Sequence, residues 1–239
     1  MSFLKKGRSI FKKFAKLGKK FTNKATKVGK KVFDSKVFSR NTVSSLTPEE
    51  QLAIKLVNQS YQSVDTREKQ VDGFEYQQQA STDEITVYWN HNSSDLYISF
   101  RGTKTIQDVA TDVQFARHQE GATQRFQKDL REFDNLVQFY QPARTSIAGH
   151  SLGAGISLFI NRNRNNINSV IGINPAFNLS NLKDSFTQPS PNVVILRTRN
   201  DPVSTVSAFS GFNVKTIPVD SDDLIASHKL ESFEKMITQ

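Results

Sequence analysis

Apolar residues recur through the first forty positions at helical spacing. Ile10, Phe14, Leu17, Phe21, Ala25, Val28 and Val32 step by three or four residues, the period of a single helix face, and lysines fill the positions between them. After the polar stretch NTVSSLTPEE (41–50) the pattern changes. Thr47 followed by Pro48, Glu49 and Glu50 is a helix start: a capping hydroxyl, proline in the first turn and acids at the positive dipole end. Leu52, Ile54, Leu56 and Val57 supply the core side of that helix. The segments EITVYWN (84–90) and DLYISFRG (95–102) alternate apolar and polar residues around HNSS, which predicts a hairpin. A helical segment is expected near 106–116. A stronger helix is expected over 124–140, with Phe126, Leu130, Phe133, Leu136 and Val137 on one side and Pro142 ending it. Strand RTSIAG, helix SLGAGISLFINRN, strands SVIGIN, NVVILRT and FNVKTIPV, and a short closing helix LESFEKMI complete the order. Strands alternating with helices predict an α/β fold whose sheet is mostly parallel in its second half.

Charge divides the chain more sharply than hydropathy does. The net charge of +9 conceals a first forty residues at +13, with 14 Lys and Arg against one acid (Asp34), and a remainder at −4. Three parts follow: a cationic amphipathic N-terminal arm over 1–40, a linker over 41–48, and a globular domain over 49–239, long enough for one substantial core. The absence of cysteine excludes disulfides, thiolate metal sites and a Cys nucleophile. No run of residues reaches the 18 apolar positions of a spanning helix, and no continuous apolar core follows the basic start. A soluble or peripheral protein, exported by no signal peptide, is the expectation.

In water the arm should be largely disordered, because its charges repel and nothing covers its apolar stripe. An anionic lipid surface reverses that balance: each lysine near it gains on the order of 1 kcal/mol, and the phenylalanines enter the headgroup boundary. Lys12, Lys13, Phe14, Lys16, Lys20 and Phe21 are the candidate membrane-binding residues. A solvated tail binding nucleic acid through phosphates is the alternative, and a docking helix for a protein partner is a third. A phosphate-binding tail has no need of phenylalanines at helical spacing, which favours the membrane.

Chemistry concentrates in the second half. Gly149-His150-Ser151-Leu152-Gly153 fits G-x-S-x-G where a strand passes into a helix, the setting of a nucleophile elbow. With Ser151 as nucleophile, the chain order serine, acid, histidine leaves His228 as base, since His91, His118 and His150 precede the serine. The acid should leave the C-terminal end of a later strand. Asp201, after NVVILRTRN, does so, whereas Asp184, Asp220, Asp222 and Asp223 lie in loops without such a strand before them. An oxyanion hole needs two backbone N–H groups, for which Leu152 and, from SFRGTKT, Thr103 are placed. His150 reads as packing at the elbow. Arg101 and Asp108 read as structural charges that pair with each other or with helix ends, and Arg197 and Asn200 as residues shaping the Asp201 loop.

The blocks YISFRGTKTIQDVATD, IAGHSLGAG, RTRNDPVS and SHKLESF together resemble the signature blocks of the class 3 lipase family, the fungal-lipase-like branch of the α/β-hydrolases, over roughly residues 50–235. That resemblance implies an α/β-hydrolase-type sheet with flanking helices, a Ser151–Asp201–His228 triad, an oxyanion hole at Thr103 and Leu152, and neither metal nor organic cofactor. It also implies a lipid-ester substrate for a lipase or a phospholipase of A1 type. Three departures stand out. Between Thr103 and Gly149 there is no obvious apolar lid helix, the 27 residues from Asp201 to His228 are compact, and the lysine-rich arm belongs to no family block. The expected function is a serine-dependent carboxylic-ester hydrolase of lipids brought to anionic membranes by its arm. The alternatives are an acyltransferase using the same triad, or a nucleic-acid-binding or scaffold protein on a relic hydrolase body.

Overall fold

The computed structural model describes residues 45–103, 120–175, 190–199, 201, 213–218, 230, 233 and 237, with residues 120–123 described in their backbone alone. By contacts the chain divides after Asn41, and every described residue lies in the second unit. The arm, the helix expected near 106–116, Asp108, Asn200 and His228 lie outside the described residues.

The first helix, α1 (Pro48–Gln59), begins where the sequence puts it, and a reciprocal cap closes it. Thr47 Oγ1 accepts the Glu50 N–H at 3.3 Å while Glu50 Oε2 accepts the Thr47 N–H at 2.9 Å. Two short strands that the hydrophobic pattern missed come next, β1 (Gln70–Val71) and β2 (Phe74–Tyr76). They turn through Asp72 and Gly73, at φ 46° and 85°, the two positive values of a tight hairpin turn for which Asp-Gly is suited. The expected hairpin forms from β3 (Ile85–Asn90) and β4 (Asp95–Phe100). Helix α2 (Glu120–Tyr140) starts four residues before the expected Gln124. It is followed by β5 (Arg144–His150), α3 (Leu152–Asn163), β6 (Ser169–Ile173), β7 (Val193–Thr198) and β8 (Asn213–Ile217).

The eight strands lie in sequence order in one sheet, antiparallel from β1 to β4 and parallel from β4 to β8. This is an α/β fold on a mixed, mostly parallel sheet with helices on both faces. The strand period of two sorts the side chains. Leu96, Ile98, Phe100, Ile147, Val170, Val193 and Ile195 meet α2 and α3 through Leu130, Phe133, Leu136, Ile156 and Ile160. Tyr97, Ala148, Ile171, Ile173 and Leu196 face the other way, where Ile54, Leu56 and Val57 of α1 cover them. Leu230 and Phe233, from the stretch expected as the closing helix, are buried in this second core.

Glu50 does more than cap. Only 3% exposed, it pairs with Lys215 of β8 at 2.5 Å, which ties the helix that covers one face to the last strand of the sheet.

Phe133 is fully buried between α2 and the sheet. Phe133→Ala should therefore cost about 3–5 kcal/mol of stability, read as a lowered urea midpoint.

Candidate active site

Parallel strands deliver their C-terminal ends to one edge of the sheet, and the loops leaving that edge can carry chemistry. Here β4, β5, β6 and β7 are consecutive neighbours. The segment after β4 carries Arg101, Gly102 and Thr103, the end of β5 carries His150 and Ser151, and the segment after β7 reaches Asp201. Ser151 and Asp201 leave strands two places apart, a separation of about 10 Å at the ordinary strand spacing.

Ser151 sits at φ 55° and ψ −121°, a backbone conformation a serine adopts only under constraint. The constraint is visible on both sides. Its N–H donates to the Ile173 carbonyl at the end of β6 (3.0 Å), and its carbonyl accepts from Ala154 (3.1 Å) and Gly155 (3.3 Å) in the first turn of α3. The flanking glycines permit the turn by their lack of a side chain. A β-carbon at Gly149 would stand 2.3 Å from the Gly153 carbonyl oxygen, and one at Gly153 would stand 2.0 Å from the Phe100 carbonyl oxygen. Strand β5, helix α3 and the end of β4 thus meet backbone to backbone. Ser151 is 2% exposed. Because its own N–H is used by Ile173, the first free donors of the elbow are those of the opening helical turn, where an α-helix leaves its N–H groups without intrahelical acceptors.

Asp201 is fully buried, and its N–H donates to the Thr198 carbonyl at 3.4 Å. Its segment is braced from β6 by Asn174, a residue with φ 40° that the sequence did not mark out. Asn174 donates its N–H to Leu196 (2.8 Å), and its side-chain oxygen accepts the Thr198 N–H at 2.9 Å. The Ile173–Asn174 pair therefore holds the serine turn with one residue and the approach to the aspartate with the next. Arg197, also buried, lies beside this segment with Nη2 3.5 Å from the Arg199 carbonyl. Burial pushes its guanidinium below its ordinary value, and the charge of Asp201 opposes that.

The segment leading to Thr103 is clamped from α2. Arg101 donates its N–H to the Glu84 carbonyl at 2.9 Å, and its own carbonyl accepts from Arg125 Nη2 at 3.4 Å. Arg125 also reaches Glu84 Oε1 (2.8 Å) and Asp129 Oδ2 (2.5 Å), while Lys128 takes Glu84 Oε2 at 2.7 Å. The side chain of Arg101 is buried, and burial holds its guanidinium below the ordinary value, with Asp83 the main opposing charge. The expected pairing of Arg101 with Asp108 falls outside the described residues.

Ser151, Leu152, Gly149, His150 and Gly153 are thus brought together at one turn, with Gly102 beside it and Asp201 at the next strand end but one. His228 is outside the described residues. Besides Asn174, one further residue was missed. The Tyr61 hydroxyl lies 2.7 Å from His150 Nδ1 and accepts the Gly102 N–H at 3.2 Å. No local pattern marks it, since its partners are 89 and 41 residues away.

No family model and no curated protein matches the chain. Solved structures that do match include the Lip2 lipase from Yarrowia lipolytica, at 16% identity over 75% of this chain and 82% of that one, with a TM-score of 0.48. A triacylglycerol lipase described as having a serine protease triad at its catalytic centre matches at 14% identity, over 70% and 78% of the two chains, with a TM-score of 0.47. A Rhizomucor miehei lipase in complex with its propeptide matches at 13%, over 70% and 67%, with a TM-score of 0.43. The fold is defined by the strand order and register of the sheet itself.

Two outcomes follow from this geometry. Gly153→Ala drives a methyl group into the Phe100 carbonyl and should abolish the elbow, read as loss of soluble folded protein or a melting temperature lower by many degrees. For Glu84, burial would raise the carboxyl, but the hydrogen bond from Lys128 and the charge of Arg125 outweigh it and hold the group below its usual range. A carboxyl whose folded pKa is depressed contributes stability above its unfolded pKa of about 4.3 and loses it as pH falls through the folded value. Glu84→Gln should accordingly be less stable than the parent at pH 7, and the difference in urea midpoint should shrink on acidification below pH 4.

Proposed function

We propose that the chain is a serine-dependent carboxylic-ester hydrolase acting on lipids, with Ser151 as nucleophile, His228 as base and Asp201 as the orienting acid. The observation that carries this reading is the constrained turn at Ser151, with a serine at φ 55° between β5 and α3 and a fully buried aspartate at the end of β7. Strain of this kind persists only where surrounding structure over-determines it, and it clusters at functional sites.

In this mechanism Ser151 Oγ attacks the ester carbonyl carbon while His228 takes its proton. Asp201 stabilises the imidazolium so formed. The carbonyl oxygen, now negative, accepts from the Leu152 N–H at the positive end of α3 and from the Thr103 N–H. Collapse of the tetrahedral intermediate breaks the bond to the alcohol, which leaves with the proton from His228. Water then attacks the acyl-serine with His228 as base, releasing the carboxylic acid and restoring Ser151. Oxyanion donors of this kind are worth about 10²–10³ in rate each.

The finer reading is a phospholipase or lipase recruited to anionic bilayers by its arm. Its support is the charge and the helical spacing of Lys12, Lys13, Phe14, Lys16, Lys20 and Phe21. A chain held at an anionic surface meets lipid esters at high local concentration without a lid to sense the interface. Among the described residues no helix is long and apolar enough to cross a membrane.

Ser151→Ala in the full chain should remove ester release from a soluble short-chain ester and from phospholipid vesicles alike; activity that survives it overturns the assignment of Ser151. Replacing Lys12, Lys13, Lys16 and Lys20 together with glutamine should leave turnover of the soluble ester unchanged. The same change should lower release from anionic vesicles by up to about a thousandfold, taking roughly 1 kcal/mol for each of the four lysines at the surface. Equal effects on both substrates overturn recruitment by the arm, and salt-sensitive binding of nucleic acid in preference to anionic vesicles favours the other partner.

A further inference from the structure

We infer that Tyr61 is a positioning residue that sets the distance between the oxyanion-binding backbone and the nucleophile turn, a role that rests on the hydrolase reading above. The last register pair between β4 and β5 is Phe100 with Gly149. Gly102 and His150 both lie beyond it, so the ladder no longer holds the two chains at a set spacing where the chemistry needs them. There the Tyr61 hydroxyl bridges them. Tyr61 Oη accepts the Gly102 N–H at 3.2 Å on one side and lies 2.7 Å from His150 Nδ1 on the other. With its ring proton on Nε2, His150 accepts the phenol's hydrogen at Nδ1, so both bonds form at once.

The tyrosine is itself held. It stands on the turn closing α1, where its N–H donates to the Asn58 carbonyl at 3.0 Å. Its half-buried ring packs against the core on the α1 face and meets the His150 ring edge-on at 5.7 Å between centroids. The space it encloses is already full. A β-carbon at Gly102 would stand 2.6 Å from the His150 carbonyl oxygen, 2.8 Å from Tyr61 Oη and 3.1 Å from Ser151 Cβ. Gly102 is thereby seated between the phenol and the nucleophile residue. Two consequences bear on the reaction. The Gly102 N–H is committed to Tyr61, which leaves Thr103 as the next donor in that segment. And the separation between that donor and Ser151 is set from a third element, outside the sheet, instead of by loop chance. Misplacement of such a group by about 1 Å costs on the order of 10²-fold in rate.

Tyr61→Phe in the full chain removes the oxygen and keeps the ring. Measured on a soluble nitrophenyl ester, kcat should fall about 10- to 100-fold while KM stays within about threefold, because the lost alignment matters in the transition state and not in ground-state binding. Affinity for a boronic acid that forms a tetrahedral adduct on Ser151 should fall in parallel with kcat, and the melting temperature should move by no more than a few degrees. Unchanged kcat and boronate affinity overturn the role, as does a loss that appears in KM alone or only together with a large fall in melting temperature. If the unsubstituted chain shows no turnover that depends on Ser151, the hydrolase reading fails and this role with it; an active parent beside an equally active Tyr61→Phe fails this role alone.

Discussion

Backbone touching backbone at the elbow is the constraint on which the rest of this edge of the sheet depends. Helix α3 can begin directly after Ser151 only if its first turn lies against the end of β4, and the contact is close enough that neither Gly149 nor Gly153 has room for a methyl group. That approach forces the serine into its unusual backbone angles and also places the segment after Phe100 alongside it. Strain is tolerated because every neighbour is fixed. Ile173 takes the Ser151 N–H, the α3 turn closes on the Ser151 carbonyl, and apolar side chains bury both faces of the sheet around them. The cost of the turn, of the order of 1–3 kcal/mol, is small beside the burial that imposes it.

Three ties then bring separate elements to the same edge. Asn174 joins the end of β6 to the approach to Asp201. The Glu84, Arg125 and Lys128 cluster joins α2 to the residue before Gly102. Tyr61 joins the turn after α1 to both Gly102 and His150. Each replaces a sheet ladder that has run out, and each uses a side chain to fix backbone, which positions groups without adding a charge next to Ser151. The charged cluster is not without tension. Asp129 is wholly buried, burial raises its carboxyl against the pull of Arg125, and its Oδ1 finds no hydrogen bond among the described residues. Taking such a group out of water costs free energy that its ion pair with Arg125 must offset.

Much of this molecule is readable from local pattern, for identifiable reasons. The α1 start at Thr47, the β3–β4 hairpin, the long α2 and the alternation from β5 to β8 all rest on periodicity and caps, which act over a few residues. The turn at Ser151 was legible because glycine spacing around a serine at a strand-to-helix boundary reports a close approach in one dimension. Strands β1 and β2 escaped because two or three residues carry no period, although the Asp-Gly between them is itself a turn signal. Tyr61 and Asn174 escaped for a different reason. Their partners are distant in sequence, and a tyrosine or an asparagine at a loop is ordinary until its neighbours are known.

The sequence by itself determined the two chemically distinct parts of the chain, the order and type of the main elements, and the identity of Ser151 and Asp201 as candidates, since charge, periodicity and turn chemistry are properties of short stretches. Only the tertiary structure decided that strands neighbouring in sequence are neighbours throughout the sheet, which sets Ser151 and Asp201 two strands apart. It alone decided that the N–H groups of Ser151 and Gly102 are already spent, on the Ile173 carbonyl and the Tyr61 hydroxyl. Hydrogen-bond commitments of that kind depend on where the chain returns to itself in space, and no local pattern of residues encodes that return.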